Sequence, residues 1–254
     1  MLSATAPAEL YAFLIIVVRV GAFLSLLPAL GESMIPVRIR LGAALGIALV
    51  LVPTVSRQIP AMPDSPFALA GVIAAELAVG LFIAGMMRVL FTALHVAGTV
   101  IGLQSGLSFA MTFDPSQGQQ SVLFSNFLAL MGIAAIFAAN LHLLMLQAIV
   151  HCYEVFPPGN LPPVGDFAEM GVRLIGEGFE MGLRMSAPFI IFGLLFNLGL
   201  GVLNRLMPAI QIFFVGLPLQ ILGGLVLLAA SVGASMNWFL GRYEAELGLF
   251  LGKG

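Results

Sequence analysis

The chain has 254 residues, of which 60% are hydrophobic and only 9% are charged. A soluble domain has about 25% charged residues, so this composition indicates a membrane protein and excludes an ordinary soluble fold. The net charge is −2 and the single lysine is Lys253, which leaves no basic surface for a nucleic acid and no polybasic lipid-binding tail.

Apolar segments follow one another along the chain, and a membrane span needs about 20 such residues. They cover residues 11–30, 41–55, 67–103, 122–150, 181–203 and 210–240. The third is too long for one untilted span, so we expect one bent helix or two segments. The pattern predicts an all-α membrane protein with about six kinked hydrophobic segments.

Two longer connections separate these segments. Residues 104–121 are polar, with Asp114-Pro115 and a Gln-Gly-Gln-Gln run, and residues 151–169 contain four prolines together with acidic side chains. Both are typical of loops. Basic residues near the span ends favour a cytoplasmic location for Arg38 and Arg40. With six spans, the same rule places the basic residues after 240 outside, where they are disfavoured, so a simple topology is in conflict with the charges.

Charged side chains inside apolar segments are costly and indicate a functional or packing role. They are Arg19, Glu76, Arg88, Glu180 and Arg184. Glu180 and Arg184 are four residues apart and could pair on one helix face. Glu76 and Arg88 are too far apart to pair within one helix. We interpret these groups as contacts to neighbouring subunits or to a wet cavity, with an ion or proton relay as the alternative.

Chemistry-bearing residues are few. The single cysteine, Cys152, excludes a disulfide framework and a Cys-rich metal site, and we expect it to pack as a small apolar side chain. His95 and His142 lie in different segments and have no carboxylate or cysteine at metal-ligand spacing. Ser105 is flanked by glycine but has no nearby histidine, and no phosphate-binding loop occurs. We therefore expect neither an enzyme nor a cofactor.

Glycines recur at four-residue spacing, which lets membrane helices approach closely. The pairs are Gly42 and Gly46, Gly98 with Gly102 and Gly106, and Gly178 with Gly182. Prolines 28, 53, 188, 208 and 218 predict broken helices. Irregular backbone at membrane depth requires protein or water around it, so these features favour a chain that works inside an assembly.

The connection after residue 104 has an unusual composition. Its apolar side chains alternate with smaller or polar ones before a turn, and the residues concerned are Gly106, Leu107, Phe109, Met111, Phe113, Asp114 and Pro115. Flexible methionine and phenylalanine side chains could plug a pore and be displaced from it. An ordinary re-entrant or interfacial loop is an equal alternative.

Two stretches resemble the FliR family of flagellar biosynthesis proteins. The first has Arg-Val-Gly-Ala-Phe-Leu at 19–24, then Pro28, Gly31 and Ile-Pro-Val-Arg-Ile-Arg-Leu at 35–41. The second, more specific stretch has Gly-Leu-Leu-Phe-Asn-Leu-Gly-Leu-Gly at 193–201, Leu-Asn-Arg-Leu-Met-Pro at 203–208 and Gln-Ile-Phe-Phe-Val-Gly-Leu-Pro at 211–218. Residues 102–110 with Asp114-Pro115 resemble the family's central loop, and Asn140-Leu-His142 matches with leucine where the family usually has glycine. The resemblance covers essentially the whole chain.

This resemblance implies a non-enzymatic subunit that assembles with FliP and FliQ into a hetero-oligomeric type III export gate in the inner membrane, within the flagellar basal body. Helical hairpins would form a channel for unfolded flagellar proteins, with FlhB, FlhA and membrane lipids as further partners and no nucleic acid. Residues 1–120 would correspond to a FliP-like part and 121–254 to a FliQ-like part, and residues 106–117 to the loop that plugs the channel. The residues to which we assign assembly or packing roles are Arg19, Glu76, Arg88, Asn197, Asn204, Arg205 and Pro208.

Three alternatives stay open at this point. The virulence injectisome has a counterpart of the same family, although Asn197, Asn204-Arg205 and the Phe-Phe-Val-Gly-Leu-Pro run are more similar to the flagellar branch. An independent secondary transporter would use the charged groups at broken helices, and it should show inverted repeats, which the sequence does not reveal. An intramembrane protease lacks a recognisable set of catalytic residues.

Overall fold

The structure is a computed structural model that describes residues 2–32, 35–106, 120–160, 164–207 and 212–251. Within those ranges the chain is helical and has no strand. The helices are α1 (Leu2–Leu26), α2 (Val37–Val55), α3 (Pro66–Gln104), α4 (Gln120–Ala138), α5 (Leu141–Val155), α6 (Val164–Leu206) and α7 (Ile212–Phe250), with a short 3-10 turn at Ser56–Gln58.

The all-α membrane class predicted from the sequence is confirmed. Five helices are long and apolar enough to cross a membrane, and α4 with α5 forms a bent pair that raises the number to six if it counts as one span. The prediction of about six segments therefore holds, although the boundaries differ from the apolar runs in several places.

The segment at 67–103 forms one uninterrupted helix, α3, rather than two. Three prolines that predicted broken helices instead lie inside continuous ones: Pro53 in α2, Pro188 in α6 and Pro218 in α7. That part of the prediction is wrong. A proline removes a single helical hydrogen bond, and this loss is tolerated in membrane helices where neighbouring groups satisfy the freed carbonyl.

The apolar run at 122–150 forms two helices instead of one, and its hydropathy did not predict the break between them. Asn140 adopts a left-handed conformation with φ of 58° between α4 and α5, and the two helices differ in direction by 76°. Asparagine tolerates this conformation better than most residues because its short polar side chain can bond to the local backbone.

The connection predicted at 151–169 is much shorter in the structure. Helix α5 continues to Val155 and α6 begins at Val164, so part of the predicted loop is helical. Pro157 and Pro158 follow the end of α5, whereas the acidic, glycine-rich residues after 164 form the first turns of α6. Exposed acidic side chains in a first helical turn are favoured by the helix dipole, and Asp166 is one of them.

The chain divides into two compact units. The first contains Met1–Leu90, Asn140–Leu174 and Ala245–Gly254, and the second contains Phe91–Ala139 and Ile175–Glu244. Each unit is therefore built from segments that are far apart in sequence, and α3, α6 and α7 contribute residues to both. This division does not follow a cut near residue 120, and the correspondence of 1–120 and 121–254 to FliP-like and FliQ-like parts stays a prediction.

Close helix packing within each unit depends on particular glycines. In the first unit a Cβ on Gly80 would overlap the carbonyl of Arg19, so α1 and α3 cross there. In the second unit a Cβ on Gly98 would overlap the backbone of Ser125, and one on Gly182 would lie 2.7 Å from Val96. The predicted close approach is thus confirmed at Gly98 and Gly182. Gly42 and Gly46, by contrast, lie on an exposed face, and nothing is within 4 Å of the position that a Cβ on either would take.

Large apolar side chains cover the outer faces of several helices. Those at least 60% exposed include Val37, Ile39, Leu49, Val50, Phe67, Val172, Leu195, Val202, Leu206, Leu222 and Val226. An apolar outer surface on this scale requires lipid or other protein subunits around the chain.

Candidate functional site

A buried ion pair joins α1 and α3 in the first unit. Arg19 Nε donates to Glu76 Oε2 at 2.6 Å, and Arg19 Nη2 donates to Glu76 Oε1 at 3.0 Å. The side chains are 1% and 0% exposed. Two parallel hydrogen bonds between a guanidinium and a carboxylate are the strongest geometry for such a pair, and burial makes the loss of either partner costly.

The remaining groups of this pair are bonded to the end of α5 and the turn after it. Arg19 Nη1 donates to the carbonyl of Phe156 at 3.0 Å, and the guanidinium carbon lies 4.2 Å from the centre of the Tyr153 ring. The amide of Gly159 donates to Glu76 Oε1 at 3.0 Å. The pair therefore ties α1, α3 and the 156–159 turn into one network, which we call the Arg19–Glu76 clamp.

Cys152 lies against the clamp and is buried, as predicted for a packed small side chain. Its Sγ donates to the carbonyl of Ile149 at 3.0 Å and lies 3.6 Å from Arg19 Nη1. The structure thus gives this cysteine a neighbour that the sequence could not reveal.

A second ion pair and an arginine cap organise the connection between α1 and α2. Arg88 Nη1 lies 2.6 Å from Glu32 Oε1, and both side chains are about one-third exposed, at 36% and 28%. Arg40 donates to the carbonyls of Leu30 and Glu32, each at 3.1 Å. The sequence singled out Arg88 as costly inside an apolar segment but did not identify Glu32 as its partner.

In the second unit, two glutamines connect α3 to α7. Gln220 is 2% exposed, and its Nε2 donates to the backbone carbonyl of Gln104 at 2.9 Å. Gly106 follows with φ of +78°, and a Cβ there would lie 3.0 Å from the Gln220 side chain. Sequence reasoning missed this contact, although a glutamine within an apolar helix was a signal for it, since a buried amide needs a partner.

The other chemistry-bearing candidates are Ser105, Glu180 and Arg184, together with the side chains that could bind a metal. No group of three or more metal-ligating side chains occurs in the described part of the chain. Ser105 is fully buried against Gly224. Glu180 and Arg184 form the predicted pair on α6, with both side chains more than half exposed.

The match to a protein family covers nearly all of this helical architecture. The profile of the family described as "Bacterial export proteins, family 1" matches residues 10–245. The chain belongs to this family.

Its similar relatives within the bacterial export proteins are named flagellar biosynthetic protein FliR. The protein from Caulobacter vibrioides is 39% identical over 95% of this chain and 96% of its own length. Those from Escherichia coli and Bacillus subtilis are 32% and 30% identical, over 84% and 85% of this chain and 80% and 84% of their own lengths. The similarity to FliR predicted from the motifs is confirmed, and this bacterial export protein is a component of the flagellar export apparatus with several membrane-spanning helices.

The residues predicted to act in assembly fall into two groups in this export protein. Arg19, Glu76 and Arg88 are paired inside the chain. Asn197, Asn204 and Arg205 are exposed on α6. Pro208 and the predicted plug residues Leu107, Phe109, Met111, Phe113, Asp114 and Pro115 lie outside the described residues, and Gly106 is the last described residue before them.

Proposed function

We propose that the chain is a non-enzymatic subunit of the flagellar type III protein-export gate. Together with FliP and FliQ it forms the channel through which unfolded flagellar proteins leave the cytoplasm. The observation that carries this proposal is the 39% identity to a flagellar biosynthetic protein over 95% of the chain. The proposed location is the inner membrane within the flagellar basal body, with FlhB and FlhA as further partners.

The arrangement of charges supports a structural role for the buried ionised groups. Arg19 and Glu76 form hydrogen bonds with each other and with the backbone of Phe156 and Gly159. A transport relay needs ionisable groups that exchange partners with a substrate or an ion. A clamp whose members bond within the chain is instead suited to holding helices in a fixed arrangement.

The apolar outer faces support an assembly. Helices α2, α6 and α7 expose leucine and valine side chains along much of their length, beside polar groups that lipid cannot satisfy. The relatives reported above carry flagellar names, which favours the flagellar gate over its injectisome counterpart.

The test is recovery of the complex from the native host. The chain is given an affinity tag at its chromosomal locus, membranes are solubilised in a mild detergent, and the captured proteins are identified by mass spectrometry. Recovery of FliP and FliQ in one large complex, together with loss of flagellin secretion in a deletion strain, is the expected result. A lone protomer or a homodimer, with secretion unchanged in the deletion strain, would overturn the proposal in favour of a transporter.

We also propose that residues 106–117 seal the closed channel. This rests on the sequence, in which Leu107, Phe109, Met111 and Phe113 follow a glycine. Deleting 107–117 should make the host membrane permeable to small ions while FliP and FliQ are still recovered. Unchanged permeability in a strain that assembles the complex would contradict this role.

A further inference from the structure

One face of α6 changes from charged to apolar within the second unit. Glu180 and Arg184, which pair with each other, belong to a row of side chains spaced three or four residues apart, and this spacing keeps a row on one helix face. The next five members of the row are Ala187, Ile191, Leu195, Leu198 and Val202. Arg205 follows them at the same spacing. We call the five apolar residues between the two arginines the outer strip.

The outer strip lies opposite the side on which α6 packs in its unit. Phe189 is 1% exposed, a Cβ on Gly193 would overlap the side chain of Gln104, and Leu200 lies against Gly216. Every residue of the outer strip is two positions away from Phe189, Gly193 or Leu200. Two positions correspond to about 200° around a helix with 3.6 residues per turn. The outer strip therefore points away from the rest of the unit.

The length of the outer strip matches the hydrocarbon core of a membrane. Arg184 and Arg205 are 21 residues apart in sequence, which is about 31 Å along a helix axis. The hydrocarbon core of a bilayer is about 30 Å thick. An arginine at each end can keep its charged group in water while its apolar stem covers the edge of the hydrocarbon.

Helix α7 provides an independent marker of level, because it runs antiparallel to α6 in this unit. Gly216 on α7 packs against Leu200, and Gly223 packs against Phe192. Eight residues further along each helix from this second contact, the charged end of the outer strip is level with about Ser231.

The exposed surface of α7 also changes near Ser231. Before this residue, large apolar side chains that are 47–63% exposed follow one another, and they are Leu219, Leu222, Leu225 and Val226. From Ser231 to the end of the unit, the exposed residues are Gly233, Ala234, Asn237, Gly241, Arg242 and Glu244. Two helices thus lose their large exposed apolar side chains on these faces at one level, as the surface of a hydrocarbon layer requires.

Lipid fits the outer strip better than water or protein does. The large side chains of the strip, from Ile191 to Val202, are 59–63% exposed, which is unfavourable in water. Closely packed membrane helices use small residues at their contacts, whereas this strip consists mainly of leucine, isoleucine and valine. Glu180 and Arg184 are 55% and 62% exposed, and charged groups are costly among acyl chains. Ile175 and Phe179 are also exposed, but on a different side of α6.

We propose that the outer strip and the exposed leucines of α7 face the acyl chains of the bilayer, and that the hydrocarbon ends at Arg184 and Arg205. The part of α6 around Glu180 then lies outside the hydrocarbon, although it belongs to the same continuous helix. This explains how a helix of 43 residues, roughly 64 Å long, fits a layer of half that thickness. The proposal goes beyond the export-gate function, since it needs only that the chain lies in a membrane.

The test places a nitroxide spin label at four positions, one per variant. Leu195→Cys and Leu222→Cys report on the proposed lipid-facing surface, and Glu180→Cys and Asn237→Cys report on the two helices beyond its edge. The full-length tagged chain is extracted with whatever proteins it binds and is reconstituted in vesicles of phosphatidylethanolamine and phosphatidylglycerol. Collision rates of each label are then measured with oxygen, which concentrates in hydrocarbon, and with a nickel chelate, which stays in water.

The expected result is a contrast between the two pairs of positions. At Leu195 and Leu222 the ratio of oxygen to nickel collisions should be severalfold higher than at Glu180 and Asn237. Low rates with both reagents at Leu195 would show that protein covers the strip, and frequent nickel collisions there would show an aqueous surface. A ratio at Glu180 as high as that at Leu195 would place hydrocarbon beyond Arg184. Each of these three results would overturn the proposal.

Two controls keep the measurement interpretable. Cys152 is buried, and the unmodified chain carried through the labelling reaction measures any signal from it. The thermal midpoint of each labelled variant in detergent should match that of the unmodified chain, which establishes that the label has not unfolded it. Recovery of FliP and FliQ is scored on the same preparations, so failure of the export-gate proposal is recorded separately from failure of the lipid-facing surface.

Discussion

Arg19 and Glu76 are 57 residues apart in sequence and meet in a buried bidentate ion pair that also holds the turn after α5. This contact makes the clamp the most testable element of the first unit. Replacing Glu76 with alanine leaves a buried guanidinium without its carboxylate. We expect a loss of about 3–5 kcal/mol in the stability of the chain, measured as a lower thermal midpoint of the purified protein in detergent.

The clamp prediction has two controls. Replacing both Arg19 and Glu76 with leucine should cost less than Glu76→Ala alone, because no buried charge is left unpaired. Glu180→Gln removes an ion pair whose side chains are 62% and 55% exposed, and it should change stability by no more than about 0.5 kcal/mol. A Glu76→Ala protein with an unchanged midpoint would show that the pair contributes little.

Gly98 and Gly46 should respond in opposite ways to alanine. A Cβ at Gly98 overlaps the backbone of Ser125, so Gly98→Ala forces α3 and α4 apart and should cost about 1–3 kcal/mol. Gly46 has open space around it, and alanine there should be neutral or stabilising by up to about 1 kcal/mol because it favours the helix. Thermal midpoints of the two purified variants provide the comparison, and equal shifts would contradict it.

Gln220→Leu should weaken the contact between α3 and α7. The substitution leaves the carbonyl of Gln104 without the donor that lies 2.9 Å away, which should cost about 1 kcal/mol. Leu219→Ala, at a neighbouring position that is 55% exposed, serves as the control and should leave the thermal midpoint of the isolated chain unchanged. A larger effect at Leu219 than at Gln220 would overturn this interpretation.

The break between α4 and α5 predicts a preference for glycine over alanine at Asn140. Its φ of 58° suits asparagine or glycine and strains a residue with an ordinary Cβ. Asn140→Gly should be nearly neutral, whereas Asn140→Ala should cost about 1 kcal/mol. Limited proteolysis and the thermal midpoint measure both, and an alanine variant as stable as the glycine variant would indicate a different conformation at this turn.

Hydropathy predicts the helical membrane class and the number of segments because the length of an apolar run is a local property. The length of the apolar run does not predict the break at Asn140, because the residues on both sides of it are equally apolar. Nor does it predict the first turns of α6, because acidic residues and glycines next to prolines have the composition of a loop. These residues are helical because they continue into the apolar helix that follows them. A hydropathy window over the polar residues alone does not detect this.

The presence of a charge within an apolar segment identified Arg19 and Glu76 as separate candidates. It did not predict that the two form an ion pair. Their contact depends on how α1 and α3 cross at Gly80, which is a tertiary relationship. Gln220 carries no charge, so a search for charged residues within apolar segments passes over it. Asn197 and Asn204 were found through motif resemblance, and their lack of a partner among the described residues is visible only in the structure.

The composition of the first unit has a consequence for biosynthesis. This unit takes residues from before position 90, from 140–174 and from 245 onward, and Glu246, 6% exposed, lies 3.9 Å from Arg173. A nascent chain must therefore be translated beyond Glu246 before this unit is complete. A chain that stops before residue 245 lacks the last segment of this unit, so we expect its first unit to be less stable than that of the full chain.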